Sequence, residues 1–421
     1  MSIDCGCSER HGDGHSLTDP LKARQWLIDE VIPCGGSERV SLSSAHGRVL
    51  AEPLTARLDL PGVDNSAMDG YALRRADLTG STGLAVSARI PAGVAPEPLL
   101  SGSCARIFTG APLPRGADCV VPQEQVSIDA DGLVNCLKAP VTGQHIRRRG
   151  EEVQIGDPLL EAGTVINAIT CAMLASQGLR EITVRRRVRV ALLCTGSELV
   201  TPGTPLAPGQ LYNSNAAMLS AALTQQQAEV LDFGIIADHP EDLERALLDA
   251  AETADLIVCS GGVSVGEEDH VRPCLERVGA IHLHGVAMKP GKPFTFGHIG
   301  DTLEQGTPVI ALPGNPSAAL IAWRMLGQPC LQRRQGRTPA ELERWTVEAG
   351  FHKRAPRQRR ELLRVCLEPL RGTTRAVLAG AQGSNMLRTA HNADGYLIVE
   401  PGNDVILGEH YIYLPASQFL C

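Results

Sequence analysis

The stretch Asp255-Leu256-Ile257-Val258-Cys259-Ser260-Gly261-Gly262-Val263-Ser264-Val265-Gly266 decides the fold. Its first half is a short apolar run, the kind that forms a strand buried on both faces in a parallel sheet. Its second half is rich in glycine and serine, which lets the backbone turn sharply and aim N–H groups at an anion, phosphate in particular. Glu267, Glu268 and Asp269 follow at once and suit a metal ion or a water better than a second anion. The pattern recurs. Arg189–Cys194 runs into Thr195-Gly196-Ser197-Glu198-Leu199, and Pro308–Leu312 runs into Pro313-Gly314-Asn315-Pro316. Between them, Lys289-Pro290-Gly291-Lys292-Pro293 sets two ammonium groups in a stiff turn. Ligands of open α/β sheets lie beyond the carboxyl ends of the strands. These loops are therefore expected to face one cleft that takes an anion or a nucleotide.

Composition narrows the class. A chain of 421 residues supports several domains, each with a sizeable core. Hydrophobic residues at 43% and charged residues at 20% are those of a soluble globular protein. Aromatics at 3% predict aliphatic cores and no stacking platform for single-stranded nucleic acid. A net charge of −8 speaks against broad nucleic-acid binding, which needs a basic face, but not against a small anion held by a local cluster. Thirteen cysteines without a C-x-x-C pair argue against a disulfide framework and for a reducing cytoplasm. The chain has neither a long apolar run nor an apolar signal core, so no membrane association is expected.

Residues 1–16 carry Cys5, Cys7, His11 and His15. Structural zinc sites favour a wider cysteine spacing, so this segment is read as a flexible tail. Leu21 to Val31 predicts an amphipathic helix, and Val40 to Leu50 and Leu54 to Leu58 extended segments. A polar loop, Asp64-Asn65-Ser66-Ala67-Met68-Asp69-Gly70, gathers carboxylates and an amide with no lysine or arginine among them. Short alternating runs from about 75 to 146 predict a β domain, with the Gly/Pro-rich loop Thr109–Asp118 inside it. An Ala-rich helix is expected over Asn167–Gln177, ahead of Gly178. From Val188 onward, strands and helices alternate as in a doubly wound α/β unit. After Pro339 the text turns β again. The expected domains are 17–48 with 147–187 (discontinuous, the later part packing with the N-terminal helix), an inserted β domain 49–146, an α/β domain 188–328, and a β-barrel-like domain 338–421.

The motifs DNSAMDGYA, TGAPLPRGAD, IRRRGEE, TGSELV, SGGVSVGEED, KPGKPFTFG, LPGNP and QGSNML follow one another in this order. Together they resemble the MoeA-type molybdopterin molybdenumtransferases, the group that includes the E domain of gephyrin. The resemblance covers the chain from roughly residue 17 to its end, and it is the order of the motifs that makes it specific. It implies the same multidomain α/β plus β architecture and an elongated homodimer. In such a dimer the active site lies between the α/β domain of one subunit and the inserted β domain of the other. It also implies a reaction, in which adenylylated molybdopterin and molybdate give molybdenum cofactor and AMP with Mg2+.

Carried over by motif position, Asp64, Glu198, Asp238 and Asp269 would position magnesium, pyrophosphate or water. Lys289 and Lys292 would hold phosphate or molybdate. Gly261, Gly262 and Ser264 would contact the substrate's phosphates, while Thr109, Pro313, Pro316 and Ser384 would line the oxyanion and pterin pocket. Metal ligands would come from Asp64, Glu198, Asp269 and Glu152. Each has a plainer role too: Glu198 as the cap of a following helix, Asp238 as a turn residue before Pro240, Ser384 as a turn former. The chain departs from the family's pattern at Ser197, where an acidic residue is usual, at Glu152, where aspartate is, and at Ser317-Ala318 after LPGNP. Implied partners are a second copy of the chain, molybdopterin adenylyltransferase and molybdoenzyme-maturation proteins. Two competing readings are a non-catalytic molybdopterin-binding scaffold and an adenylyltransferase. The carboxylates argue against the first; the extra domains and the GGVS loop, in place of GGTG, argue against the second.

Overall fold

The computed structural model describes residues 17–78, 83–263, 269–370 and 372–417. Ser264, the acidic pair Glu267 and Glu268, and the N-terminal Cys/His segment lie outside them. The described residues divide into two compact units. One takes its residues from Met1–Ala51, Gly163–Ala168 and Glu181–Cys421, the other from Glu52–Ala162 and Ile169–Arg180.

The first unit is built on a six-stranded sheet in the order Glu229–Ile236, Arg189–Thr195, Leu256–Ser260, Thr307–Leu312, Thr295–Ile299, Gly279–His284. The first four strands run parallel, and the last two are added through antiparallel pairings. The central strands are apolar through their middles, as suits strands covered by helices on both faces. Leu192, Val258, Ile310 and Leu312 meet Leu219, Leu223 and Ala319 on one face. Leu193, Ile257, Cys259 and Val309 meet Leu243, Leu247, Val271 and Leu275 on the other. This is the doubly wound arrangement expected. The two antiparallel strands extend it beyond what the sequence pattern suggested.

The N-terminal helix Pro20–Glu30 starts at Asp19, whose carboxylate accepts from Leu21 N–H at 2.9 Å and Lys22 N–H at 3.1 Å. It packs chiefly on the helical stretch Trp323–Arg334. Ala23 and Leu27 join the core there, and Arg24 donates to the Met325 carbonyl at 3.0 Å and the Ala340 carbonyl at 2.9 Å. Val40 to Leu50 does not stay extended. The strand Ser37–Ser41 gives way to a single turn, Leu42–Ser44, where the Ser41 hydroxyl bonds those of Ser43 and Ser44. Ser37–Ser41 pairs antiparallel with Glu181–Arg185.

The C-terminal strands form a closed five-stranded barrel: Arg360–Leu370, Thr373–Leu378, Trp345–Ala349, His410–Pro415 and Gly395–Val399, the last pairing back on the first. Val347, Leu363, Val365, Leu397 and Tyr413 fill it. The second unit holds a four-stranded sheet, ordered Ala85–Ile90, Ser103–Ile107, Gly70–Leu73, Cys119–Pro122. Among the described residues no helix is long and apolar enough to cross a membrane.

Candidate active site

Three turns leave the carboxyl ends of neighbouring parallel strands and touch. Gly261 N–H donates to the Leu312 carbonyl at 3.1 Å. Gly261 has φ +99°, and a Cβ on it would lie 2.3 Å from the Thr195 carbonyl oxygen, so only glycine fits. Gly262, at φ +64°, sits over the Thr195 side chain in the same way. The Thr195 Oγ1 is buried there with no hydrogen-bond partner among the described residues. Asn215 ties the turns together: its Nδ2 donates to Ser260 Oγ and to the Gly314 carbonyl, both at 2.8 Å, while its buried Oδ1 is unpartnered among the described residues. Asn215 opens the helix Ser214–Gln225, and nothing in the motifs singles it out. Its real task is this three-way contact. Pro313 contributes its carbonyl, which accepts from Ser260 Oγ at 3.3 Å.

The carboxylates flank this centre. Asp238 accepts from the Ser197 backbone N–H at 2.6 Å, which joins the loops after the strands Arg189–Thr195 and Glu229–Ile236. Glu198 caps no helix. A short strand, Leu199–Val200, follows it and pairs with Leu211–Tyr212, and the carboxylate folds back over Gly196. Asp269 stands just ahead of the helix Val271–Val278, whose first N–H donates to the Gly262 carbonyl at 3.1 Å.

Cationic groups come from the other side. The KPGKP turn packs on the helix Pro316–Ala322, with Gly291 against Ala318 and Ala322. Lys292 is exposed, with no ion pair among the described residues. Lys289 is 3.0 Å from the buried Glu361 carboxylate. Ser384 enters through its backbone, its carbonyl accepting from Ser317 N–H at 2.9 Å. What holds it is a residue the motifs did not point to. Arg364 is 1% exposed, and its guanidinium donates to Ser317 Oγ at 2.6 Å and to the carbonyls of Gly383, Ala381 and Met386 at 2.9, 3.2 and 3.3 Å. Burial lowers its pKa, against the pull of nearby Tyr396. The available signal was its position beside Leu362 on one face of an alternating strand, where an apolar residue belongs.

The second unit carries the remaining candidates. Asp64, which the sequence left without a basic partner, has one, Arg148 Nη1 at 2.6 Å on Oδ2, and its Oδ1 accepts from the backbone N–H of Arg149 at 2.8 Å. The Arg149 N–H, and then Arg148, hold its carboxyl below the usual carboxylate range against the cost of partial burial. Asp69 accepts from both the N–H and the hydroxyl of Thr109 at 2.7 Å. The Glu152 side chain is exposed, whereas Glu151 accepts from Arg148 N–H at 2.7 Å.

Three family models match in succession: the MoeA N-terminal region (domain I and II) over residues 19–178, a probable molybdopterin binding domain over 191–333, and the MoeA C-terminal region (domain IV) over 346–409. The molybdopterin molybdenumtransferase of Haemophilus influenzae is 39% identical over 316 residues, covering 75% of this chain and 77% of that protein. Molybdopterin molybdenumtransferase 2 of Mycobacterium tuberculosis is 37% identical over 392 residues, covering 90% and 94%. Among solved structures, the molybdopterin biosynthesis moeA protein of Pyrococcus horikoshii superposes with a TM-score of 0.77 at 28% identity, over 95% of this chain and 99% of that one.

Proposed function

The chain belongs to the MoeA family of molybdopterin molybdenumtransferases, and from that premise we propose that it inserts molybdate into adenylylated molybdopterin with release of AMP. The observation that carries this reading is the meeting, on one set of strand ends, of a glycine turn that only glycine can form, two lysines in a proline turn, and a buried arginine braced on the neighbouring loop. Two chemical tasks follow. Two dithiolene sulfurs replace oxygen ligands of molybdate, which leave as water. A water adds to one phosphorus of the pyrophosphate, the bridging P–O bond breaks, and AMP departs.

Lys289 and Lys292 hold the oxyanion as point charges. The backbone at Gly261 and Gly262 receives phosphate oxygens, and Pro313, Pro316 and the Ser384 segment wall the pocket. Asp238 fixes the Ser197 loop, while Glu198 and Asp269 orient the attacking water in this reading. The unpaired oxygens of Thr195 and Asn215 favour a ligand with N–H donors nearby. Among the described residues no group of three or more His, Cys, Asp or Glu side chains is arranged to hold a metal. We propose that Mg2+ enters with the pyrophosphate it screens, since magnesium keeps waters and substrate oxygens as most of its ligands.

The chain is proposed to work in the cytoplasm as a homodimer, beside molybdopterin adenylyltransferase and molybdoenzyme-maturation proteins. Support for the dimer comes from the helix Ala168–Ser176, an almost wholly apolar segment on which Leu174 is buried and Ile169 is 79% exposed. The decisive experiment is AMP release from adenylylated molybdopterin by the purified protein, with and without molybdate and magnesium. Release that needs molybdate supports the transferase; tight binding without release refutes it. Asp269→Asn is expected to keep the fold and slow AMP release by about 100-fold, the scale of a lost general-base contribution. Unchanged turnover in a folded variant removes Asp269 from the reaction.

A further inference from the structure

Glu361 is 3% exposed, yet each of its oxygens carries a different ammonium group: Lys289 Nζ at 3.0 Å on Oε1 and Lys353 Nζ at 2.6 Å on Oε2. Strand pairing sets the first contact, because Met288–Lys289 runs beside Arg360–Glu361. The second comes from a separate segment, anchored by backbone bonds between Lys353 and Val405. One carboxylate cannot neutralise two ammonium groups, so the cluster keeps a surplus positive charge. The adjacent Arg360 does not alter this count, since it has its own carboxylates, Asp19 at 3.2 Å and Glu400 at 3.0 Å. The two lysines also differ in access: the side chain of Lys289 is 44% exposed and that of Lys353 24%.

A buried carboxylate that loses its only partner is costly. Were Lys289 the sole partner of Glu361, drawing its ammonium toward a bound oxyanion would carry that cost. With Lys353 on the other oxygen, Glu361 stays paired throughout. We propose that Lys353 is the counterion that frees Lys289: when molybdate reaches the KPGKP turn, Lys289 leaves Glu361 for the oxyanion and Lys353 remains. Glu361 and Lys353 are then positioning residues that act through Lys289. The inference rests on the reading of that turn as the oxyanion site.

Calorimetric binding of molybdate to the full chain tests it, together with kcat and KM for molybdate in AMP release. Lys353→Met is expected to raise Kd and KM for molybdate about tenfold, the effect of one unit charge a few ångströms from a partly solvated site, with kcat little changed. The double variant Lys353→Met/Glu361→Gln is expected to return to within about twofold of wild type, because a neutral residue 361 no longer competes for Lys289. A merely structural role for Lys353 gives the opposite order, with the double variant worse than the single, and overturns the proposal. Glu361→Gln alone serves if Lys353→Met does not fold: it is expected to bind molybdate at least as tightly as wild type, and weaker binding overturns the exchange. Wild-type affinity with an unaffected Lys353→Met sinks the exchange alone. A wild type that binds no molybdate sinks the oxyanion site itself, and the exchange with it.

Discussion

Replacing Arg364 by lysine keeps the charge and removes the fork. The two terminal nitrogens of the guanidinium reach opposite ways: one donates to Ser317 Oγ and the Met386 carbonyl, the other to the Gly383 and Ala381 carbonyls. A lysine ammonium has three protons but a single position, so at least two acceptors lose their donor. Hydrogen bonds to charged groups contribute about 1.5–3 kcal/mol each. Relaxation of the exposed side of the loop recovers part of this, leaving a net loss of about 3 kcal/mol. Local opening of the Ala381–Met386 segment should then rise by roughly 100-fold. Native-state hydrogen exchange reads this directly, with the Ser317 amide, bonded to the Ser384 carbonyl at 2.9 Å, as reporter. Peptides from the helix Pro240–Thr253, on the far face of the sheet, serve as the internal control. Unchanged protection of Ser317 in Arg364→Lys would refute the claim that the guanidinium holds the loop against the LPGNP turn.

Two further outcomes are expected. Gly261→Ala combines a left-handed φ of +99° with a Cβ 2.3 Å from a backbone oxygen, and should abolish AMP release and lower Tm. Gly380→Ala, at φ +133° with its nearest neighbour at 3.6 Å, carries only the conformational strain, about 1–3 kcal/mol; equal effects of the two on release would contradict the close-approach argument. Asp64 is held below its ordinary pKa in the folded state, so its contribution is fully present above the unfolded value near 3.8 and is lost as pH falls through the lower folded value. Asp64→Asn should therefore flatten the acid limb of stability below about pH 4, and an acid limb identical to wild type in urea titrations would rule this out.

The turns after the parallel strands were legible because the signal is local: an apolar run followed at once by glycine and proline marks a strand and its exit in a dozen residues. The antiparallel strands Gly279–His284 and Thr295–Ile299 were not read. They carry histidines at inward positions, with His282 Nε2 and His298 Nδ1 2.8 Å apart, and so lack an apolar signature. The partners of Asp64 lie more than eighty positions away, and nothing in a run of three arginines tells which of them faces a carboxylate. Glu361 and Arg364 were hidden for a related reason. Charged residues in a strand read as a solvated face, yet these two lie on opposite faces of theirs: Arg364 is buried against Ser317 of the helix Pro316–Ala322, and Glu361 between Lys289 and Lys353.

The pairing of these buried charges bears on how a chain of net charge −8 would hold the anionic substrates proposed for it. Beyond about 8 Å, charges in physiological salt are screened, so the site responds to its own neighbourhood and not to the total. Lys289 and Lys292 belong to the KPGKP turn, Lys353 shares Glu361 with Lys289, and Arg364 bonds Ser317; among the described residues the only carboxylate paired to any of these four is Glu361. Arg364 is braced on carbonyls and a hydroxyl, which satisfy its donors without cancelling its charge. A carboxylate in their place would have made a more stable pair and a weaker anion site. The bonding of this arginine to neutral acceptors leaves its own charge uncancelled, and the Ser317 hydroxyl, one residue past LPGNP, supplies one of those acceptors.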